Sequence, residues 1–177
     1  MAKLTANRQQ RLLELLETSG RRLHALLARL TLCEDAVGDL MQELFIRLYL
    51  SKGFERAKDP LAYAYRAAIN LAFEWRRRQK VKPQPLSDHV LPMTDCVSSV
   101  DQMIRSEETQ QLLDATSKLS ELAREVVVMH YIEQEPYEEI GRRLGKKPQY
   151  LRALSAKAMA KLRDLLAEPQ PRMGTRR

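Results

Sequence analysis

Apolar residues recur at steps of three and four along most of the chain, which is the spacing of amphipathic helices. The clearest case is residues 34–51, where one buried stripe is predicted from Val37, Leu40, Met41, Leu44, Phe45 and Leu48. Similar patterns predict helices over residues 5–18, 21–30, 61–80, 100–118 and 121–132. We expect Gly20 to separate the first two, with Thr5 as an N-cap, and residues 54–59 to form a loop. Long alternating strand patterns are absent, so the predicted fold class is all-α.

Two short helical patterns meet at a tight break towards the C-terminus. The first places Ile140 and Leu144 one turn apart, and the second runs from Leu151 to residue 165. Gly145 can adopt the positive φ that closes a helix, and Pro148 suits the first turn of the next one. This pattern predicts a helix-turn-helix, although an ordinary helical hairpin with its basic residues facing water would share the periodicity.

In a helix-turn-helix the second helix lies in the DNA major groove, with its early residues at the base edges. The lysines are expected on phosphates, whereas Gln and Arg can pair with adenine and guanine. The candidate contacts are Lys146, Lys147, Gln149, Tyr150, Arg152, Ala153, Ala156 and Lys157.

The composition changes between the two helical regions. Residues 81–99 contain three prolines, scattered polar residues and little periodicity, which is typical of a linker. Residues 168–177 contain two prolines and three arginines and are predicted to be disordered. We therefore predict two small helical domains, residues 1–80 and 100–167, joined by a flexible linker.

The charge of the chain favours a polyanionic partner. Its 177 residues have a formal net charge of +7 and a pI of about 9.6. Arg76, Arg77 and Arg78 are followed closely by Lys80 and Lys82, and such a run of like charges favours phosphate binding. Neither a secretory signal nor an apolar run of the roughly 20 residues needed to cross a bilayer is found. We expect a cytoplasmic protein without membrane insertion.

The sequence contains no recognisable catalytic or cofactor-binding constellation. Cys33 and Cys96 do not form a CxxC pair, and His24, His89 and His130 are far apart along the chain. Glycine-rich phosphate-binding motifs are also missing. We therefore predict neither an enzyme nor a metal or other cofactor.

Two regions resemble one protein family. LSEL (119–122), REVVVMHY (124–131), YEEI (137–140) and LG (144–145) resemble the promoter-reading C-terminal domain of bacterial sigma factors. DLMQELFIRL (39–48), AYAYRAA (62–68), NLA (70–72) and RRR (76–78) resemble the N-terminal domain of the same family. The chain is most similar to the small, two-domain extracytoplasmic-function group.

The resemblance implies a docking role for residues 39–48, the segment by which sigma factors bind the clamp helices of the RNA polymerase largest subunit. The implied polymerase contacts are Asp39, Gln42, Glu43 and Arg47. An acidic and amide surface suits a cationic partner, since complementary charges set orientation and association rate. Taken alone, these residues are more typical of a solvated helix face. Gly38 stands where the family usually has an acidic residue.

The resemblance also implies that residues 62–78 open and read the minus-ten promoter element. In this family a flipped base is captured in a pocket fed by the preceding loop, so Asn70 and residues 54–59 are expected near that pocket. The implied DNA contacts are Arg66, Asn70, Arg76, Arg77 and Arg78. Ile69 and Glu74 replace the usual basic residue and Asp.

In the second helix of the helix-turn-helix, Leu154 and Ser155 stand where the family commonly has Arg and then Leu. Either the apolar register of this helix shifts, or fewer cations reach DNA.

Three functions are compatible with these features. A sigma factor would use both halves, with RNA polymerase core and promoter DNA as partners and often an anti-sigma factor. A stand-alone helix-turn-helix regulator would use the N-terminal half for sensing or dimerisation, and a helical adaptor would bind no nucleic acid. The two resemblances occur in the family's order around a proline-bearing linker, which favours the sigma factor.

Overall fold

The computed structural model describes residues 2–81 and 100–167, and every regular element within these ranges is helical. The chain divides into two compact units, Met1–Asp88 and His89–Arg177. Residues 82–99 of the predicted linker and the predicted tail, residues 168–177, lie outside the described ranges. The all-α prediction is confirmed for the described residues.

The first unit contains α1 (Ala2–Thr31), α2 (Glu34–Leu50), α3 (Lys52–Arg56) and α4 (Pro60–Val81). Helices α1, α2 and α4 pack against one another and bury most of their apolar stripes, although Met41 and Phe45 of α2 are only partly buried. The core of this unit includes Leu23, Leu26, Leu27, Leu30, Val37, Leu44, Leu48, Tyr65, Ile69 and Phe73. Ile69, which replaces a basic residue of the family, is therefore part of the core.

The predicted break at Gly20 is wrong, because α1 runs through it without interruption and Thr5 lies inside the helix. A glycine in a helix interior costs about 1 kcal/mol relative to alanine. Leu15 and Leu23, on either side of Gly20, are both buried against the rest of the unit. Burying a leucine contributes roughly 1.5–3 kcal/mol, so the packing of the stripe outweighs the local preference for a break.

The predicted loop at residues 54–59 is also shorter than expected. Residues 52–56 form α3, and the Ser51 hydroxyl caps it by accepting from the backbone N–H groups of Gly53 (3.1 Å) and Phe54 (3.2 Å). Asp59 then caps α4, since its Oδ1 accepts from the N–H of Ala62 at 2.9 Å. The first turns of α3 and of α4 are therefore each fixed by a side-chain cap.

The second unit contains α5 (Val100–Ser117), α6 (Glu121–Val127), a π-helical turn (Val128–Ile132), α7 (Tyr137–Leu144) and α8 (Pro148–Ala167). The predicted helix over residues 121–132 is present, but its second half has π geometry. Ser120 occupies the N-cap position without making a side-chain cap bond. One cluster of the core of this unit is formed by Ala115, Leu119, Ala123, Val127, Ala158 and Leu162.

The register of α8 settles the question raised by Leu154 and Ser155. Ser155 is only 1% exposed, whereas Leu154 is partly buried at the edge of the core. The Ser155 hydroxyl has no hydrogen-bond partner among the described side chains and backbone. Helix α8 therefore keeps the family's register and places a polar serine where an apolar side chain is usual.

Candidate nucleic-acid interface

Helix α2 presents a polar face opposite its buried stripe. Val37, Leu40, Leu44 and Leu48 point into the core. Asp39 and Gln42 are exposed, and the side chains of Glu43 and Arg47 are 36% and 40% exposed. The predicted docking residues thus share one accessible face of the helix.

This face is joined to α4 by a cluster of four charged side chains. Arg47 contacts Glu43 on its own helix at 2.6 Å and Glu74 on α4 at 2.8 Å. Arg78 on α4 contacts the other oxygen of Glu43 at 3.5 Å. The hydrogen bond that Arg47 donates to Glu74, together with the one it donates to Glu43, raises the pKa of the Arg47 guanidinium above its ordinary value. The cluster links two residue sets that were predicted to bind different partners, and nothing in the sequence marked Glu74 as part of it.

The outward face of α4 carries most of the predicted minus-ten contacts. Arg66, Arg77 and Arg78 are exposed and Asn70 is partly exposed. Arg66, Asn70 and Arg77 are separated by four and then seven positions, so they lie on one side of the helix, whereas Arg78 points about 100° away from Arg77 and contacts Glu43 of α2.

Arg76 does not belong to that surface, and its prediction as a DNA contact is wrong. It is 4% exposed, and its Nη1 donates to the carbonyl oxygens of Leu30 (3.4 Å) and Thr31 (3.5 Å). These carbonyls end α1, where the last backbone acceptors of a helix lack partners within it. Arg76 therefore caps α1 instead of facing a nucleic acid.

The helix-turn-helix is present as predicted. Gly145 follows α7 in the left-handed region, with φ of 64° and ψ of 35°, and α8 starts at Pro148. The N–H of Lys146 donates to the carbonyl of Gly141 at 3.0 Å, as in a Schellman motif. The turn also packs closely on Gly141, which is buried.

The start of α8 and the preceding turn expose a row of polar and cationic side chains. The predicted base and phosphate contacts are all exposed: Lys146, Lys147, Gln149, Tyr150, Arg152 and Lys157. Leu151, Ala158 and Leu162 face the core instead. The helix thus separates an apolar buried side from a cationic exposed side.

Aromatic side chains support Arg152 from the neighbouring helix. Its guanidinium lies 5.7 Å from the ring centre of Tyr137 and pairs with Glu138. Tyr137 stacks on His130, with ring centres 4.0 Å apart, and the His130 Nδ1 lies 2.9 Å from the carbonyl oxygen of Glu135. Tyr137 and Glu138 were seen in the sequence as parts of a family motif, but not as neighbours of Arg152.

Other kinds of site find no support in the parts of the chain that the structure describes. Among these residues, no three or more His, Cys, Asp or Glu side chains gather closely enough to hold a metal ion. Over the same ranges, none of the helices has both the length and the hydropathy of a membrane span.

Comparison with known proteins identifies the family. The family model for sigma-70 region 2 matches residues 15–81, and that for sigma-70 region 4 matches residues 109–162. The chain belongs to the sigma-70 family. More specifically, it is a member of the extracytoplasmic-function group of sigma factors.

The chain is also similar to individual known proteins. The chain is 29% identical over 150 residues to the RNA polymerase sigma factor CarQ of Myxococcus xanthus, covering 83% of this chain and 84% of CarQ. It resembles the structure of CnrH in complex with the cytosolic domain of CnrY, with a TM-score of 0.50, 20% identity and 93% of each chain covered. It also resembles the sigma factor RpoE solved with the anti-sigma factor NepR from Bartonella quintana, with a TM-score of 0.46, 18% identity and coverage of 89% and 97%. The likeness to CnrH concerns the fold.

This sigma factor directs RNA polymerase to specific promoters for transcription initiation. Its partners are the polymerase core and promoter DNA. Members of the family are initiation factors and not enzymes. The family assignment favours this function over the stand-alone regulator.

Proposed function

We propose that the first unit docks on the clamp helices of the polymerase largest subunit through α2. Asp39, Gln42, Glu43 and Arg47 would make the contacts, because they share the accessible face of that helix. Two carboxylates and an amide suit a cationic partner. The partial burial of Glu43 against Arg47 and Arg78 makes Asp39 the acid most open to a partner.

We infer that the outward face of α4 holds the separated minus-ten strand. Arg66, Asn70, Arg77 and Arg78 would contact it, with the arginines on phosphates and Asn70 near the flipped base. Arg76 has no part in this surface because it is buried under α1. The α3 segment, residues 52–56, precedes α4 and would border the base pocket.

We assign recognition of the minus-thirty-five duplex to the second unit. The first residues of α8 would reach base edges, with Gln149 and Arg152 as readers and Lys146, Lys147 and Lys157 on phosphates. Tyr150 is half exposed at the start of the same helix. One observation supports this division of roles. Apart from Arg76, the residues proposed for each partner are accessible on one helix or its adjoining turn.

The remaining assignments follow from this mechanism. The polymerase makes the RNA, and the sigma factor itself catalyses no reaction. Its place of action is the cytoplasm, where bacterial polymerase works. An anti-sigma factor would inhibit it by covering either contact surface.

The docking assignment is tested by reversing the charge of Asp39. We expect Asp39→Arg to weaken binding of the full-length protein to purified core polymerase, measured by competition with a labelled wild-type sigma factor. Glu17→Arg, which changes an exposed acid on α1, is the matched control. Glu43→Arg is a poorer test, because it also removes the partner of Arg78. Equal core affinity of Asp39→Arg and wild type would contradict the docking surface.

The recognition assignment is tested with the Arg152→Ala, Lys157→Ala double variant. We expect it to lose promoter-specific transcription in vitro while keeping the wild-type affinity for core polymerase. Start sites that depend on the protein are first mapped with core enzyme on a genomic DNA library. A fall in core affinity instead would mean that this division of roles between the two units is wrong.

A further inference from the structure

The C-terminal end of the short helix α3 is held by a residue of α1. The Arg11 guanidinium donates through Nη1 to the carbonyl oxygens of Glu55 (2.6 Å) and Phe54 (3.4 Å) and through Nη2 to that of Ala57. These carbonyls close the C-terminal end of α3, where a helix lacks internal donors. A planar guanidinium can serve several such acceptors at once, which a lysine ammonium does less precisely.

Arg11 also contacts Phe54, the buried residue of α3. Its guanidinium lies 5.9 Å from the ring centre of Phe54, and Phe54 is completely buried. The ring of Tyr63 lies 6.0 Å from that of Phe54 at a tilt of 58°. Phe54 is thus contacted by one side chain from α1 and one from α4.

The start of the segment is fixed independently. The Tyr63 hydroxyl lies 2.8 Å from the Ser51 Oγ, which in turn caps the first turn of α3. A side chain at Gly53 would approach the Tyr63 hydroxyl to 2.8 Å, so the segment fits α4 tightly. Ser51 and Tyr63 therefore fix the N-terminal end of α3, and Arg11 fixes its C-terminal end.

Arg11 lies outside the part of the chain that carries the family signature. The sigma-70 region 2 match begins at residue 15, four positions after Arg11. The segment that Arg11 holds lies within the match, between residues 51 and 59. The N-terminal turns of α1 therefore add a support to an element that the family model covers.

We propose that Arg11 is a positioning residue for minus-ten recognition, which it acts on by fixing the α3 segment. The inference rests on the proposed function, in which this segment borders the pocket for the flipped base. Ordering a residue costs conformational entropy, so a segment already fixed before the base arrives avoids that loss on binding. A fixed pocket also discriminates between bases, since it cannot rearrange around the wrong one.

The experiment compares the full-length Arg11→Ala, Arg11→Lys and wild-type proteins with purified core polymerase. Templates carry a promoter mapped with the wild-type protein, together with its single-base variants across the minus-ten element. The measured quantity is the ratio of initial transcription from the matched template to that from each mismatched one. Arg21→Ala, which removes an exposed arginine from the same helix, is the control.

We expect Arg11→Ala to reduce the largest of these ratios roughly tenfold, the order of effect of a hydrogen-bonded charged group. Arg11→Lys should fall between it and wild type, and Arg21→Ala should match wild type. Affinity for core polymerase should not change in any of them. A purely structural role would lower melting temperature and total transcript alike and leave the ratios intact.

The inference is overturned if the wild-type protein discriminates between matched and mismatched templates and Arg11→Ala gives the same transcription ratios. If Arg11→Ala does not fold, Arg11→Lys decides, and a wild-type ratio in that variant overturns it equally. A wild-type protein that supports no promoter-dependent transcription would refute the proposed function itself, which separates the two failures.

Discussion

Gly141 allows the helix-turn-helix to close, and its replacement by alanine tests that claim. A Cβ at this position would lie 2.7 Å from the carbonyl oxygen of Lys146 and 3.4 Å from Cδ and Cγ of Pro148. The oxygen belongs to backbone and cannot swing away as a flexible side chain would. The N–H of Lys146 also donates to the carbonyl of Gly141, so the turn is held against the helix at this point.

The magnitude follows from two opposed effects. Replacing glycine by alanine in a helix interior favours folding by about 1 kcal/mol. Overpacking a closely packed site opposes it by about 1–3 kcal/mol. Gly38→Ala is the matched control, because nothing lies within 4 Å of its built Cβ on the exposed side of α2. The free energy of unfolding of the first unit should therefore rise by about 1 kcal/mol for Gly38→Ala. The free energy of unfolding of the second unit should stay level or fall by up to about 2 kcal/mol for Gly141→Ala.

The two variants are compared by calorimetry of the full-length protein and by binding of their holoenzymes to minus-thirty-five DNA. In a domain of this size 1 kcal/mol shifts the melting temperature by roughly 4–8 °C, so the difference is measurable. Gly141→Ala should also lose DNA affinity, because the start of α8 moves with the turn. A Gly141→Ala protein that is stabilised as much as Gly38→Ala, with unchanged DNA binding, would refute the steric argument.

Four other substitutions are informative. Ser155→Ala should raise the free energy of unfolding by about 1 kcal/mol or more in urea denaturation, because it removes a buried hydroxyl without a partner; a loss of stability would contradict this. Glu138→Gln should tighten holoenzyme binding to promoter DNA by at most about fivefold in fluorescence anisotropy, since it frees Arg152 from a half-exposed ion pair; weaker binding would count against Arg152 as a DNA contact. Arg76→Met should destabilise the first unit by about 1–3 kcal/mol, because it uncaps α1. It should leave the salt dependence of DNA binding unchanged, whereas Arg77→Ala should lower the slope by about 0.7.

Periodicity was sufficient to predict the long helices because each buries a continuous apolar stripe. It failed where a local signal competes with packing at a distance. Gly20 is a breaker by composition, yet the leucines on both sides are fixed by α2 and α4, which the local sequence does not reveal. The prediction missed α3 for a different reason, because its five residues are too few to show a helical period. Its Ser51 cap was the one local signal that could have indicated it.

The site was predicted as a set of residue types and not as a set of contacts. The exposure of Asp39, Gln42 and the start of α8 follows directly from helix phase. Arg11 and the α3 carbonyls are separated by more than forty residues, and Arg47 and Glu74 by 27. No spacing rule connects positions that far apart, so these contacts required the fold.

The arginine run at residues 76–78 shows how far charge alone can be interpreted. As a run it favours a polyanion, but successive residues of a helix point about 100° apart, so three neighbours cannot share one face. Arg76 continues the buried stripe of Tyr65, Ile69 and Ala72, which lie eleven, seven and four positions before it. A charged group on that stripe requires partners inside the protein, and the terminal carbonyls of α1 provide them. Of these three arginines, only Arg77 and Arg78 are exposed, and Arg78 also forms an ion pair with Glu43. The minus-ten surface is therefore less cationic than the run suggests.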